Sequence, residues 1–146
     1  MWHILPLFIM ALLEKQLFIK KSGIPAAGKG LFTNKAIPKG TKIVEYKGEI
    51  VKWKDVDTRD GKNGYIYYVN RYHVIDAWET KEALARYAND AKGPSRTDGV
   101  RNNCTYNIEG VRVFIFAMRD IPAGSELLVG YGKEYWDIMK ENGVTQ

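Results

Sequence analysis

The stretch IPAGSELLVGY, residues 121–131, decides how the chain folds. It opens on a Pro-Gly turn, runs through four residues suited to a short strand at 126–129, and ends in Gly130-Tyr131-Gly132. Turn chemistry followed by so brief an apolar run predicts a strand and not a helix. The opening turn has an echo, because Ile37-Pro38-Lys39-Gly40 parallels Ile121-Pro122-Ala123-Gly124. Outward from there the punctuation continues. Strands are expected over residues 17–19, 30–33, 41–46, 49–53 and 111–118, with a hairpin of 65–69 and 72–75 about Asn70-Arg71. Residues 22–30, 55–64 and 89–101 read as loops. Helical spacing is convincing only over 80–88, where Leu84, Tyr87 and Ala88 share a face, with a second short helix over 133–140. Strands and helices do not alternate as a parallel sheet requires, so the common nucleotide folds are disfavoured.

The 146 residues suit one domain with a real core. Hydrophobic residues are 45% and charged residues 27%, which excludes disorder and collagen-like repetition. A single Cys, Cys104, excludes an intrachain disulfide and a Cys-rich zinc cluster, and fits a reducing, intracellular setting. The only two His, His3 and His73, lie far apart, so no metal site is expected. The net charge of +5 is uneven: residues 20–62 carry a local excess of basic groups, and residues 113–146 are slightly acidic. A basic half suits nucleic acid or an acidic protein, or is simply a solvated face. Residues 1–13 contain no charge but are too short to span a membrane, and they lack the basic start and cleavage site of a signal peptide. They read as an apolar arm that packs on the domain or forms an interface.

Two features point to chemistry. Gly28-Lys29-Gly30 lacks the third Gly of a dinucleotide loop and the Gly-Lys-Ser/Thr of a P-loop. What it offers is a backbone that a ligand can approach closely. Tyr46, Tyr106 and Tyr131 each sit beside a Gly or Asn turn. Single buried tyrosines usually fill cores, but three at turn edges suggest an aromatic-walled pocket with hydroxyls at one end. Such a pocket suits a long aliphatic chain that ends in an amine.

Four blocks, in order, resemble the SET-domain family of protein lysine methyltransferases. They are Ala27-Gly28-Lys29-Gly30-Leu31-Phe32; Glu45-Tyr46-Lys47-Gly48-Glu49; Ile75-Asp76-Ala77 with Ala85-Arg86-Tyr87-Ala88-Asn89-Asp90; and Ile121 to Tyr131. Each alone is weak, and four in order are specific. The resemblance covers residues 17–136, which leaves an arm at 1–16 and a tail or lid at 137–146. It implies a mainly β fold of small curled sheets, with a C-terminal pseudoknot that brings Asn89 and Tyr131 to one site. It also implies S-adenosylmethionine as cofactor, held by Gly28, Lys29, Gly30, Arg86, Asn89, Asp90 and Tyr131, with Trp136 or Tyr135 over the adenine. Tyr131 takes the catalytic position, and Tyr46, Tyr106 and Val129 line the lysine channel. The implied reaction is methyl transfer to the ε-amine of a protein lysine, of a histone or another protein.

Lysine is almost wholly protonated at its ordinary pKa near 10.4. A low-dielectric channel and a nearby sulfonium both favour the neutral amine, so no histidine base is needed. In the family that the chain resembles, the residue two before the last Tyr often sets the degree of methylation; Val129 stands there and, if Tyr106 only packs on the core, implies di- or trimethylation, whereas a Tyr106 hydroxyl in the channel would take that room up, and on the second ground mainly monomethylation is expected. The chain departs from the family pattern at Asp90, where the family mostly has His, and in a long loop at 91–102. It also lacks zinc-bearing flanks, so residues 133–146 would have to build the lid. Asp90 motivates an alternative, a SET fold that has lost catalysis and serves as a protein-binding module. The basic segment motivates another, a nucleic-acid binder, although no base-stacking motif stands out and the methyltransferase reading does not require nucleic acid.

Overall fold

The computed structural model describes residues 12–93 and 97–132. Among the described residues, nine strands form three antiparallel sheets of three strands each. The first sheet contains β1 (Leu17–Lys21), β2 (Lys29–Thr33) and β9 (Glu126–Leu127), with β2 central. The second has β8 (Arg112–Ala117) between β3 (Lys42–Glu45) and β7 (Cys104–Glu109). The third has β6 (His73–Asp76) between β4 (Glu49–Val51) and β5 (Ile66–Asn70).

Sequence explains which strand takes the middle of each sheet. β8 buries Val113, Phe114 and Ile115 in succession, and β6 buries Val74 and Ile75. A run of adjacent apolar residues needs cover on both faces, and a central position supplies it. Burying a Val, Leu or Ile side chain contributes about 1.5–3 kcal/mol. The edge strands β4 and β7 are more polar and more exposed.

The Ile37 and Ile121 turns prove to be physical partners. Their backbones exchange hydrogen bonds at 2.8 Å in both directions, and both side chains are buried. The hairpin of β5 and β6 forms as expected, with its turn shifted to Arg71-Tyr72. Other expectations are corrected. The segment 80–88 is a series of i→i−3 turns and contains a single 3-10 turn, Leu84–Tyr87, not an α-helix. Ala85 and Ala88 are its buried residues, a spacing of three that fits the tighter helix. β7 was not foreseen, and it places Tyr106 inside a strand and not at a turn. The strand expected at 49–53 stops at Val51, and Trp53 begins another 3-10 turn, Trp53–Asp55. The helix expected over 133–140, Tyr135 and Trp136, the tail or lid expected at 137–146, and residues 1–11 of the arm expected at 1–16 lie outside the described residues.

After β9 the chain leaves its sheet and makes two isolated parallel bridges, Leu128 with Asn89 and Val129 with Cys104. These bridges carry the Gly-Tyr-Gly segment away from the first sheet to the junction of the second and third.

Candidate active site

Four tyrosine rings meet at that junction. Tyr46 follows β3, Tyr67 lies on β5, Tyr106 on β7, and Tyr131 follows the parallel bridges. Tyr106 stands at the centre, with its ring centroid 6.1 Å from Tyr46, 5.1 Å from Tyr67 and 6.5 Å from Tyr131. The Tyr46 and Tyr67 rings are 6.1 Å apart. The edge and tilted contacts among Tyr46, Tyr67 and Tyr106, and the stacked contact of Tyr106 with Tyr131, keep the walls rigid. The rings line a cavity of about 310 Å³, completed by Ile66, Arg86 and the Gly130 backbone. That volume is at the small end for ligand pockets and suits a narrow chain.

The structure thus brings together Tyr46, Tyr106 and Tyr131, all three tyrosines singled out in the sequence. Tyr67 was missed, although the run Tyr65-Ile66-Tyr67-Tyr68 alternates as a strand should and so points Tyr67 away from its neighbours' face. Burial pushes the Tyr67 phenol up from its ordinary pKa, so it stays protonated and neutral. Val129 is fully buried in the core cluster against which Tyr106 and Tyr131 pack, and it donates its backbone N–H to the Asn89 carbonyl at 2.8 Å.

Tyr131 is held at both ends. Its hydroxyl donates to the Ala88 carbonyl. Its backbone N–H donates to Oδ2 of Asp90 at 2.8 Å. Asp90 is itself buried, and its Oδ1 accepts from Asn102 Nδ2 and from the Lys92 N–H, each at 2.8 Å. Asn102 and Asn103 were also missed. Asn103 Nδ2 donates to the Glu126 carbonyl at 2.9 Å, while its Oδ1 accepts from the Leu128 N–H at 2.9 Å. Side-chain amides here do the work of a strand partner for a segment that has left its sheet.

The Gly28–Gly30 loop is tied to the same segment by Glu126. Its carboxylate accepts from the Ser22 hydroxyl at 2.6 Å and from the Gly23 N–H at 3.0 Å. Asn89 Nδ2 donates to the Lys29 carbonyl at 2.9 Å. Gly30 lacks a side chain for a local reason: a Cβ there would lie 2.3 Å from Glu126 Oε2. Gly28 differs, with φ +71° and nothing within 4 Å of where a Cβ would stand. Arg86 stacks its guanidinium 3.9 Å from the Tyr65 ring centroid and donates to the Tyr87 hydroxyl at 3.3 Å. Its buried Nε has no hydrogen-bond partner among the described residues.

A family model for the SET domain matches residues 28–132. The chain belongs to the SET-domain family. It is 28% identical over 123 residues to N-lysine methyltransferase KMT5A-A of Danio rerio, which covers 75% of this chain and 33% of that protein. It is 34% identical over 120 residues to Histone-lysine N-methyltransferase ASHH1 of Arabidopsis thaliana, covering 75% of this chain and 23% of that one. The chain therefore spans a third or less of these curated relatives. Among solved structures it resembles the methyltransferase domain of human PR domain-containing protein 2, with a TM-score of 0.60 and 25% identity over 80% of this chain and 77% of that one. It also resembles a humanized mutant of the Chaetomium thermophilum Polycomb Repressive Complex 2, with a TM-score of 0.67 and 25% identity over 89% of this chain and 16% of that one. The mainly β, small-sheet SET architecture is thereby established. Among the described residues, no helix is long and apolar enough to cross a membrane.

Proposed function

We propose that this chain transfers a methyl group from S-adenosylmethionine to the ε-amine of a protein lysine, with histones among the candidate substrates, and stops mainly at monomethyl-lysine. The observation that carries this reading is the tyrosine-walled cavity with the Tyr131 hydroxyl anchored on its wall. An aromatic channel fits the four-methylene stem of lysine and excludes water around it.

The residues present fit the cofactor on two counts. Gly28 has open space beside its Cα, so its backbone can be approached closely. Arg86 Nε is a buried donor with no hydrogen-bond partner among the described residues, and a polar group of the cofactor would satisfy it. Gly28, Lys29, Gly30, Arg86 and Asn89 would hold the cofactor, and Trp136 is proposed to cover its adenine. Asp90 would contribute indirectly, through the Tyr131 backbone. When bound, S-adenosylmethionine supplies a methyl group on a sulfonium sulfur, whose positive charge is lost in the transfer.

The remaining work falls to the chain. The Arg86 guanidinium that lines the cavity disfavours a second cation there, so the lysine enters the reaction as a neutral amine and its proton goes to solvent. Tyr131 donates its hydroxyl hydrogen bond to the Ala88 carbonyl, and its oxygen therefore meets the amine as an acceptor. An amine N–H held there has its lone pair fixed in direction, which is the orientation an in-line displacement needs. Tyr106 stands between Tyr67 and Tyr131 and takes up the space a second methyl would require.

The test is incubation of the purified chain with methyl-labelled S-adenosylmethionine, core histones and a mixed lysine-peptide pool, followed by hydrolysis to amino acids. Label in ε-N-methyl-lysine is expected. Label only on another amino acid, or none with correctly folded protein, would overturn the proposal.

A further inference from the structure

We propose that the face built from the Trp53–Asp55 turn and the β5–β6 turn binds single-stranded nucleic acid. Three of the seven large hydrophobic side chains exposed among the described residues cluster here: Trp53 at 52%, Tyr68 at 53% and Tyr72 at 67%. Scattered exposed apolar residues need no explanation, but clustered aromatic rings do. Trp53 packs its ring edge-on against Tyr68, with centroids 5.4 Å apart. The Trp53 N–H donates to the Arg71 carbonyl at 2.9 Å, which fixes the two turns to each other.

The charge around these rings is positive. Lys52, Lys54 and Arg71 line a shallow recess together with Trp53 and Tyr72. None of the three cations is in an ion pair among the described residues. Arg71 lies 5.2 Å from the Tyr72 ring centroid, so that ring already takes a flat cation on one side. Asp55 belongs to the turn itself, and Asp57 and Glu49 lie within four residues of it, but Lys52, Lys54 and Arg71 outnumber Asp55 on the face, and the segment 20–62 that carries this turn is the most basic part of the chain.

An acidic peptide would use the cations and leave the exposed rings without a role. A duplex would hide the faces of its bases. A single strand uses both features, with phosphates on Lys52, Lys54 and Arg71 and bases on Trp53 and Tyr72. Tyr68 also lines the tyrosine-walled cavity, so the two sites share a wall. On the methyltransferase reading, that adjacency makes a protein carried on nucleic acid the natural lysine donor. Binding itself does not depend on that reading.

The experiment is fluorescence anisotropy of the full chain with a labelled oligothymidylate, at rising salt and without cofactor. Three phosphate contacts predict an affinity that falls about twentyfold between about 50 and 200 mM salt. The doubly substituted Trp53→Ala/Tyr72→Ala chain should lose at least about tenfold in affinity. Lys52→Glu/Lys54→Glu should flatten the salt dependence. All four side chains are exposed, so circular dichroism should report an unchanged fold. Absence of binding, equal affinity in the substituted chains, or equal competition by polyglutamate would overturn the proposal. Retained methyl transfer alongside any of these results would leave the catalytic reading standing and sink only this one.

Discussion

The backbone N–H of Tyr131 donates to the buried carboxylate of Asp90 across 41 positions of sequence, at 2.8 Å. A residue that departs from the family's usual His is therefore spent inside the protein, holding the Tyr131 backbone. Three donors converge on this carboxylate: Tyr131 N–H, Lys92 N–H and Asn102 Nδ2. An amide keeps the shape but turns one acceptor oxygen into a donor. Asp90→Asn is expected to cost about 1–3 kcal/mol, the usual penalty for a buried donor without a partner. Urea unfolding measures it, and an unchanged midpoint would remove Asp90 from this role.

The two glycines of the loop should respond differently to the same added methyl. In Gly30→Ala the new Cβ meets Glu126 Oε2 and strains the Ser22–Glu126 contact, at about 1–3 kcal/mol. Gly28→Ala meets no atom but must hold φ at +71°, at about 1–2 kcal/mol. Adding Glu126→Ala should recover part of the Gly30→Ala loss and none of the Gly28→Ala loss. Thermal denaturation of the wild type and the five variants forms two cycles, and equal recovery in both would refute the steric explanation.

Legibility in the sequence followed locality. Turns set by Pro and Gly, such as 37–40 and 121–124, and strands with dense apolar runs, such as β8, could be read because their causes lie within a few residues. β7 has a local cause as well, since Cys104, Tyr106 and Ile108 alternate with polar Thr105, Asn107 and Glu109 as in an edge strand with one face covered, a signal that the turn beside Tyr106 obscured. The 80–88 segment has the apolar spacing of a helix, but it lacks a side-chain cap and is shaped by the sheets it packs on. At the site, the tyrosines that the family pattern marks were legible, and Tyr67 was not marked by any turn. Asn102, Asn103 and Glu126 hold the segment through contacts made only after distant strands have met.

Acid should weaken the β3–β8 pairing. The Arg112 hydrogen bonds to Glu45, at 3.0 and 2.8 Å, hold the Glu45 carboxyl below its ordinary pKa. A lowered folded pKa gives stability that is present above the unfolded value, about 4.3, and is lost as pH falls through the folded value. Because Arg112 is well exposed, the effect is modest and salt should shrink it. Glu45→Gln is expected to unfold at lower temperature than the wild type near neutrality and to converge with it below about pH 4. Parallel melting curves at every pH would contradict the assignment.

Product degree tests the position of Tyr106 in the cavity. Wild-type chain should accumulate monomethyl-lysine at long reaction times, and Tyr106→Phe should shift product toward dimethyl-lysine. Mass spectrometry of the peptide, with an acetylated control to separate trimethylation from its near-equal mass, reads both. A dominant trimethyl product from the wild type, or a Tyr106→Phe chain that only slows, would show that Tyr106 does not limit the channel.

The most direct measurement of the central claim is single-turnover methyl transfer to a lysine peptide by wild type and by Tyr131→Phe, with cofactor binding measured in parallel. Removing the hydroxyl keeps the ring in place and takes away its bond to the Ala88 carbonyl, which costs about 0.5–1.5 kcal/mol of stability. The chain should stay folded and bind S-adenosylmethionine nearly as well, while the rate falls by about a hundredfold or more, the scale of a lost orienting contact. A Tyr131→Phe chain that transfers methyl at close to the wild-type rate would contradict the account.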